Sequence, residues 1–209
     1  DVEATYDVDG DGQADAIELS AGETITDLLL AYEESLAGSP GNFDRTEVYL
    51  DLGQTYGDQG TTELEVSAGE EFNVSVYAEE VDALTGYVVS IAYDSTAIEL
   101  IRAVEDVSLE GTNLLKTTQG MPLFLGSDLE DDLVSLGGAL LAPTNAQAAE
   151  GDGLLAVFRF AAKDGFEGET EVALVEVVQK SFSEADTASV DIVATIHVTT
   201  TEEEEDSSD

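Results

Sequence analysis

Two stretches decide the fold: EFNVSVYAE, residues 71–79, and GYVVSIAYD, residues 86–94. In the first, Phe72, Val74, Val76 and Ala78 fall on every second position; in the second, Tyr87, Val89, Ile91 and Tyr93 do. Successive side chains of a strand point to opposite sides, so a period of two marks a strand with one buried face. The same period runs outward in both directions. EVYLDLG, 47–53, alternates Val48, Leu50 and Leu52; GLLAVFRFAA, 153–162, alternates Leu154, Ala156, Phe158 and Phe160; DIVATIHVT, 191–199, alternates Ile192, Ala194, Ile196 and Val198. Shorter candidates lie at 62–68, 98–105, 121–126, 132–141 and 170–179. Nine or ten strands separated by Gly/Asp turns predict a mainly β chain, an antiparallel sandwich over residues 46–200. Phe72, Val74, Ile91, Phe158, Phe160 and Ile196 are its expected core.

Composition narrows the function. Forty-seven acidic residues face six basic ones among 209, a formal charge of −41. Such a surface repels nucleic acid and anionic membranes, and two copies can touch only with cations between them or in high salt. The chain has no cysteine, which excludes disulfides and thiol chemistry. No apolar run approaches the ~18 residues of a membrane span. A start at Asp1, without Met or signal peptide, is read as removal of a leader, and the expected location is extracellular.

Ahead of the strands stands DVDGDGQADAIE, residues 7–18. Counted from Asp7, side-chain oxygens fall at positions one, three, five, nine and twelve: Asp7, Asp9, Asp11, Asp15 and Glu18. Gly12 occupies the sixth position, where the chain turns sharply, and Gln13 at the seventh offers its backbone carbonyl. This is the ligand spacing of a calcium loop, with Glu18 as the bidentate twelfth residue. Without a cation, five carboxylates in one turn repel each other. Ile25, Leu28, Leu29, Tyr32 and Leu36 then form one face of a helix, opened by Thr24 with Asp27 and closed by Gly38 and Pro40. Residues 1–45 are thus expected to be a calcium-loop-plus-helix module. The tail, 201–209, carries Glu202–Glu205 and reads as disordered unless cations or basic groups meet it.

Catalysis finds little support. The one imidazole, His197, sits in an alternating strand and reads as a strand surface position. With 47 acids no single carboxylate pair is informative. Tyr77, Tyr87 and Tyr93 could bind sugar if they formed an exposed strip, but their alternation favours packing. Asn73 in NVS reads as a polar strand position rather than a glycosylated one, and the acidic clusters at 128–132 and 150–152 as solvated turns.

Residues 47–199 resemble a cohesin domain. The resemblance rests on VYLDLG, on GEEFNVSVYAEEVDALTGYVVSIAYDSTAIELI, and on GDGLLAVFRFAA, which is similar to the family's G-D-G-x-L-A-x-(I/V)-x-F strand. Ser95 stands where cohesins usually carry proline. Residues 7–37 resemble half a dockerin, the calcium module that cohesins bind, with Ala16 and Ile17 at its partner-contacting positions; dockerins carry two such loops and this chain has one. The resemblance implies a jelly-roll sandwich without enzymatic activity, acting as an extracellular docking module. Loop and sandwich in one chain suggest head-to-tail self-association into a calcium-dependent filament. A scaffold protein or a polysaccharide is the alternative partner. Residues 38–46 reach ~30 Å at ~3.3 Å per residue, so docking on the chain's own sandwich stays open.

Overall fold

A computed structural model describes residues 43–130, 132–141, 147–182 and 185–199, omitting the side chains of 127–130 and 185–191. The chain divides between Ala37 and Gly38, and everything described belongs to the second unit. The calcium ligands expected at Asp7, Asp9, Asp11, Gln13, Asp15 and Glu18 lie outside the described residues, as do the helix after them and the tail 201–209.

Every segment with period two is a strand. In chain order these are β1 (Glu47–Asp51), β2 (Glu63–Ser67), β3 (Glu71–Leu84), β4 (Gly86–Tyr93), β5 (Ile98–Val104), β6 (Pro122–Glu130), β7 (Leu133–Leu140), β8 (Ala149–Ala162), β9 (Gly168–Lys180) and β10 (Ala185–Thr199), with one 3₁₀ turn at Leu114–Thr117. They form a four-stranded sheet, β1-β3-β8-β5, and a six-stranded sheet, β2-β10-β9-β4-β7-β6. The inner faces bury the expected set: Phe72, Val74, Ile91, Phe158, Phe160 and Ile196 are all at most 2% exposed. Phe160 stacks on Phe72 at 6.0 Å and meets the edge of Tyr93 at 5.0 Å. Burial of this kind is the main driving force, at roughly 25 cal/mol per Å² of apolar surface.

Two details depart from simple alternation. Leu154 does not share a face with Ala156, Phe158 and Phe160. Val76 pairs with Ala156 while Tyr77 pairs with Leu154, leaving Leu155 as an extra residue in β8. This bulge turns Leu155 into the main core and sends Leu154 to the outer face, where it packs with Tyr77 and Val157. The sandwich is also not wholly antiparallel. β2 runs parallel to β10, pairing Leu64 with Ile196 and Val66 with Val198, which brings β2's apolar residues over the same core.

One polar link crosses the core. The Tyr87 hydroxyl on β4 donates to the Leu155 carbonyl on β8, and fully buried Asn113 donates to the same hydroxyl at 2.7 Å and the same carbonyl at 2.6 Å. Where cohesins usually place proline, the Ser95 N–H donates to Asp132 at 2.9 Å, a bond proline cannot make. Asp94 closes the turn by accepting from Thr96 N–H at 2.8 Å.

Candidate functional site

The two outer faces of the sandwich differ. Over the four-stranded sheet, the loops 52–61 and 105–113 fold back across Tyr77, Leu154 and Val157. Asp51, fully buried, anchors the first loop by accepting from Gly53 N–H (3.0 Å), Thr61 N–H (2.8 Å) and Gln59 N–H (3.0 Å). Tyr77 anchors the second through its hydroxyl, which donates to the Glu110 carbonyl at 2.6 Å. The loops join where Gly57 N–H donates to Leu109 O at 2.8 Å. Glu110 is drawn inside, 2% exposed, and accepts from Asn73 Nδ2 at 3.2 Å; its Oε2 and the buried Ser75 Oγ have no hydrogen-bond partner. Burial pushes the Glu110 carboxyl above the usual carboxylate range, and the charge of Asp51 adds to the rise; the bond from Asn73 opposes it.

The outer face of β6-β7-β4-β9 carries no such cover among the described residues. Register lays its residues out in rows. One runs Leu123, Ala139, Gly86, Lys180; the next Leu125, Gly137, Val88, Val178; a third Ser135, Ser90, Glu176. Met121 and Leu141, joined by Leu141 N–H to Met121 O at 2.9 Å, continue the phase of the first two rows. Met121 is 69% exposed, Leu123 59%, Leu125 76% and Leu141 51%, half of the eight large hydrophobics that lie exposed among the described residues. The middle of the patch is low. At Gly137 a Cβ would press at 3.4 Å on the Tyr87 carbonyl and Val88, so the sheet backbone itself floors a shallow trough beside the leucines. The two apolar rows hold no carboxylate. In the third, the Ser90 and Ser135 hydroxyls bond at 2.8 Å and Ser90 reaches toward Glu176 at 3.5 Å. An acid-free apolar patch of this kind stands out on a chain of charge −41.

Sequence reading missed this patch, although its signal was present. MPLFLG, 121–126, is apolar on both phases: Phe124 packs against the core while Met121, Leu123 and Leu125 face out. A strand with a solvated face should be polar there.

The remaining candidates resolve individually. Tyr77 and Tyr87 are 6% and 3% exposed and Tyr93 packs on Phe160, so they make no exposed aromatic strip. Asn73 is engaged with Glu110 through the nitrogen a glycan would occupy. His197 lies at the surface, 3.7 Å from Glu169. Asp152 of the 150–152 cluster accepts from Glu80 N–H at 2.9 Å. Among the described residues no group of three or more His, Cys, Asp or Glu is placed to hold a metal, and no helix is long and apolar enough to cross a membrane.

No protein-family model and no curated protein matches the chain. Solved structures do. The sandwich is similar to the structure of the OlpC–Doc435 type I cohesin–dockerin complex of Clostridium thermocellum, with TM-score 0.55 and 13% identity over 75% of this chain and 94% of that one. The OlpA–Doc918 cohesin–dockerin complex of the same organism gives TM-score 0.54 and 11% identity over 74% and 99%. A non-cellulosomal cohesin from the archaeon Archaeoglobus fulgidus gives 0.51 and 15% over 74% and 91%. Residues of this chain that share so few identities with these modules nonetheless fold along the same path: the sandwich has the cohesin fold.

Proposed function

We propose that this protein is an extracellular, non-catalytic docking module whose contact surface is the outer face of β6-β7-β4-β9. One observation carries the reading: the acid-free apolar patch of Met121, Leu123, Leu125 and Leu141 on an otherwise acidic chain. Apolar burial is the one attractive contribution that like charge does not cancel. Cohesins solved in complex with dockerins support a calcium-module partner. The chain's own sequence offers such a partner in residues 1–45, with Asp7, Asp9, Asp11, Asp15, Glu18 and the Gln13 carbonyl as calcium ligands. Ala16, Ile17 and the apolar side of the following helix would bury against the leucine rows of a second copy. Such a contact is heterologous, and one that does not close produces an open filament.

Negative-stain microscopy of the full chain with calcium, and again with chelator, tests this. Filaments or high oligomers that dissolve on chelation, and that Glu18→Ala or a Leu123→Asp/Leu125→Asp double change prevents, support it. A calcium-loaded monomer that instead captures a separate dockerin moves the partner outside the chain; one retained on polysaccharide overturns protein docking.

A further inference from the structure

β6 is an outer edge of the six-stranded sheet, and its free side can be read bond by bond. Leu141 N–H donates to Met121 O and Leu140 N–H to Thr85 O on the far side of β7. Antiparallel ladders alternate, so Leu123 and Leu125 spend their backbone groups on Ala139 and Gly137 of β7. Phe124 and Gly126 therefore point N–H and C=O away from the sheet, and no described residue bonds to them. Pro122 has the same phase and needs no donor there, the position in which an edge strand tolerates proline. Edges are commonly blunted by charge or shortness. β1 and β2 have five residues each, and β2 reads ELEVS; β6 has nine and bears no charge before Asp128.

We infer that β6 pairs with β6 of a second copy, antiparallel and about a two-fold axis at Leu125, joining the six-stranded sheets of two chains into one. In this register Phe124 faces Gly126 of the other copy twice over, giving four backbone hydrogen bonds. Leu125 meets Leu125 in a non-bonded pair, where side chains lie closest. Charge placement selects a second copy in this orientation. The acids of the strand are confined to its end, so the antiparallel arrangement sets Asp128 against Pro122 rather than against another acid. Lys116, whose Nζ lies 5.6 Å from the Phe124 ring, bridges Glu105 and Asp106 at 2.9 and 3.1 Å and so offsets part of the acid nearest this edge. The pairing is independent of the calcium module, and it doubles the leucine patch into one continuous surface.

Sedimentation equilibrium of the full chain in chelator and about 1 M NaCl, where the screening length is ~3 Å, isolates this contact from calcium-dependent docking. The expected result is a dimer at about 100 μM that weakens as salt is lowered. Gly126→Pro removes an edge N–H while leaving Leu123 and Leu125 in place, and should weaken dimerisation at least about tenfold without touching docking. Leu125→Asp, which sets two carboxylates face to face, should abolish it. Circular dichroism melts confirm that both variants fold. A wild-type monomer under these conditions overturns the pairing. So does a dimer that survives both changes, or one that only Leu125→Asp breaks, since that contact would use the face rather than the edge.

Discussion

The four-stranded sheet hides its outer tyrosines and leucine beneath two loops stitched down by Asp51 and Tyr77, whereas β6-β7-β4-β9 leaves four large apolar side chains in water. Both faces are apolar at their centre. They differ in what covers them: one is finished by the chain's own loops, the other has no cover among the described residues. Similar apolar chemistry in the strands is thus buried on one side and exposed on the other.

The comparison predicts a clean separation of effects. Leu154→Ala, at a position 1% exposed, should cost about 2–5 kcal/mol of folding stability in urea melts and leave docking intact. The Leu123→Asp/Leu125→Asp double change should do the reverse, lowering partner affinity about a hundredfold by calorimetry while stability moves by about 1 kcal/mol or less. If the leucines proved as important for folding as Leu154, the two faces would not differ in kind.

Glu110 sharpens the description of the closed face. Its folded pKa lies above the ordinary carboxylate value, so the folded state holds a proton that the unfolded chain releases first. Stability is therefore lost as pH rises from the ordinary carboxylate range to the raised one, and the loss persists above it. Glu110→Gln keeps the acceptor for Asn73 and adds a donor for the unpartnered Ser75 hydroxyl. It should stabilise the fold by about 1–3 kcal/mol at pH 8, and its advantage over the parent should shrink toward zero at pH 4. Equal gains at both pH values would mean that folding does not raise the Glu110 pKa. The smallest effect is expected at the turn between β4 and β5: Ser95→Pro removes the N–H given to Asp132 and should lower Tm slightly, with no change in docking.

Much of this was legible from periodicity, and what was not has identifiable causes. All ten strands fall on segments with alternating or short apolar patterns, because one buried face per strand imposes the period. The bulge at Leu155 left no trace, since Leu154 and Leu155 are both apolar and only pairing with Tyr77 shows which one turns outward. β3 runs on to Leu84 through Glu80 and Ala83, both at φ +52°, without a glycine to announce the irregularity. The parallel partnership of β2 with β10 joins residues too far apart in sequence for any local pattern. The exposed apolar face was written in MPLFLG but read simply as a strand.

The sandwich also has a direction. β1 begins opposite Glu79, near one end of β3, whereas β10 finishes where Ala68 N–H donates to Thr199 O, beside the start of β3 at Glu71. The chain therefore enters at one pole and leaves at the other, along the strand axes. Tension applied between Glu47 and Thr199 runs along the strands and loads the bonds of β1 and β10 together, in shear, instead of opening them one at a time. Resistance to pulling is set by the unfolding barrier rather than by equilibrium stability.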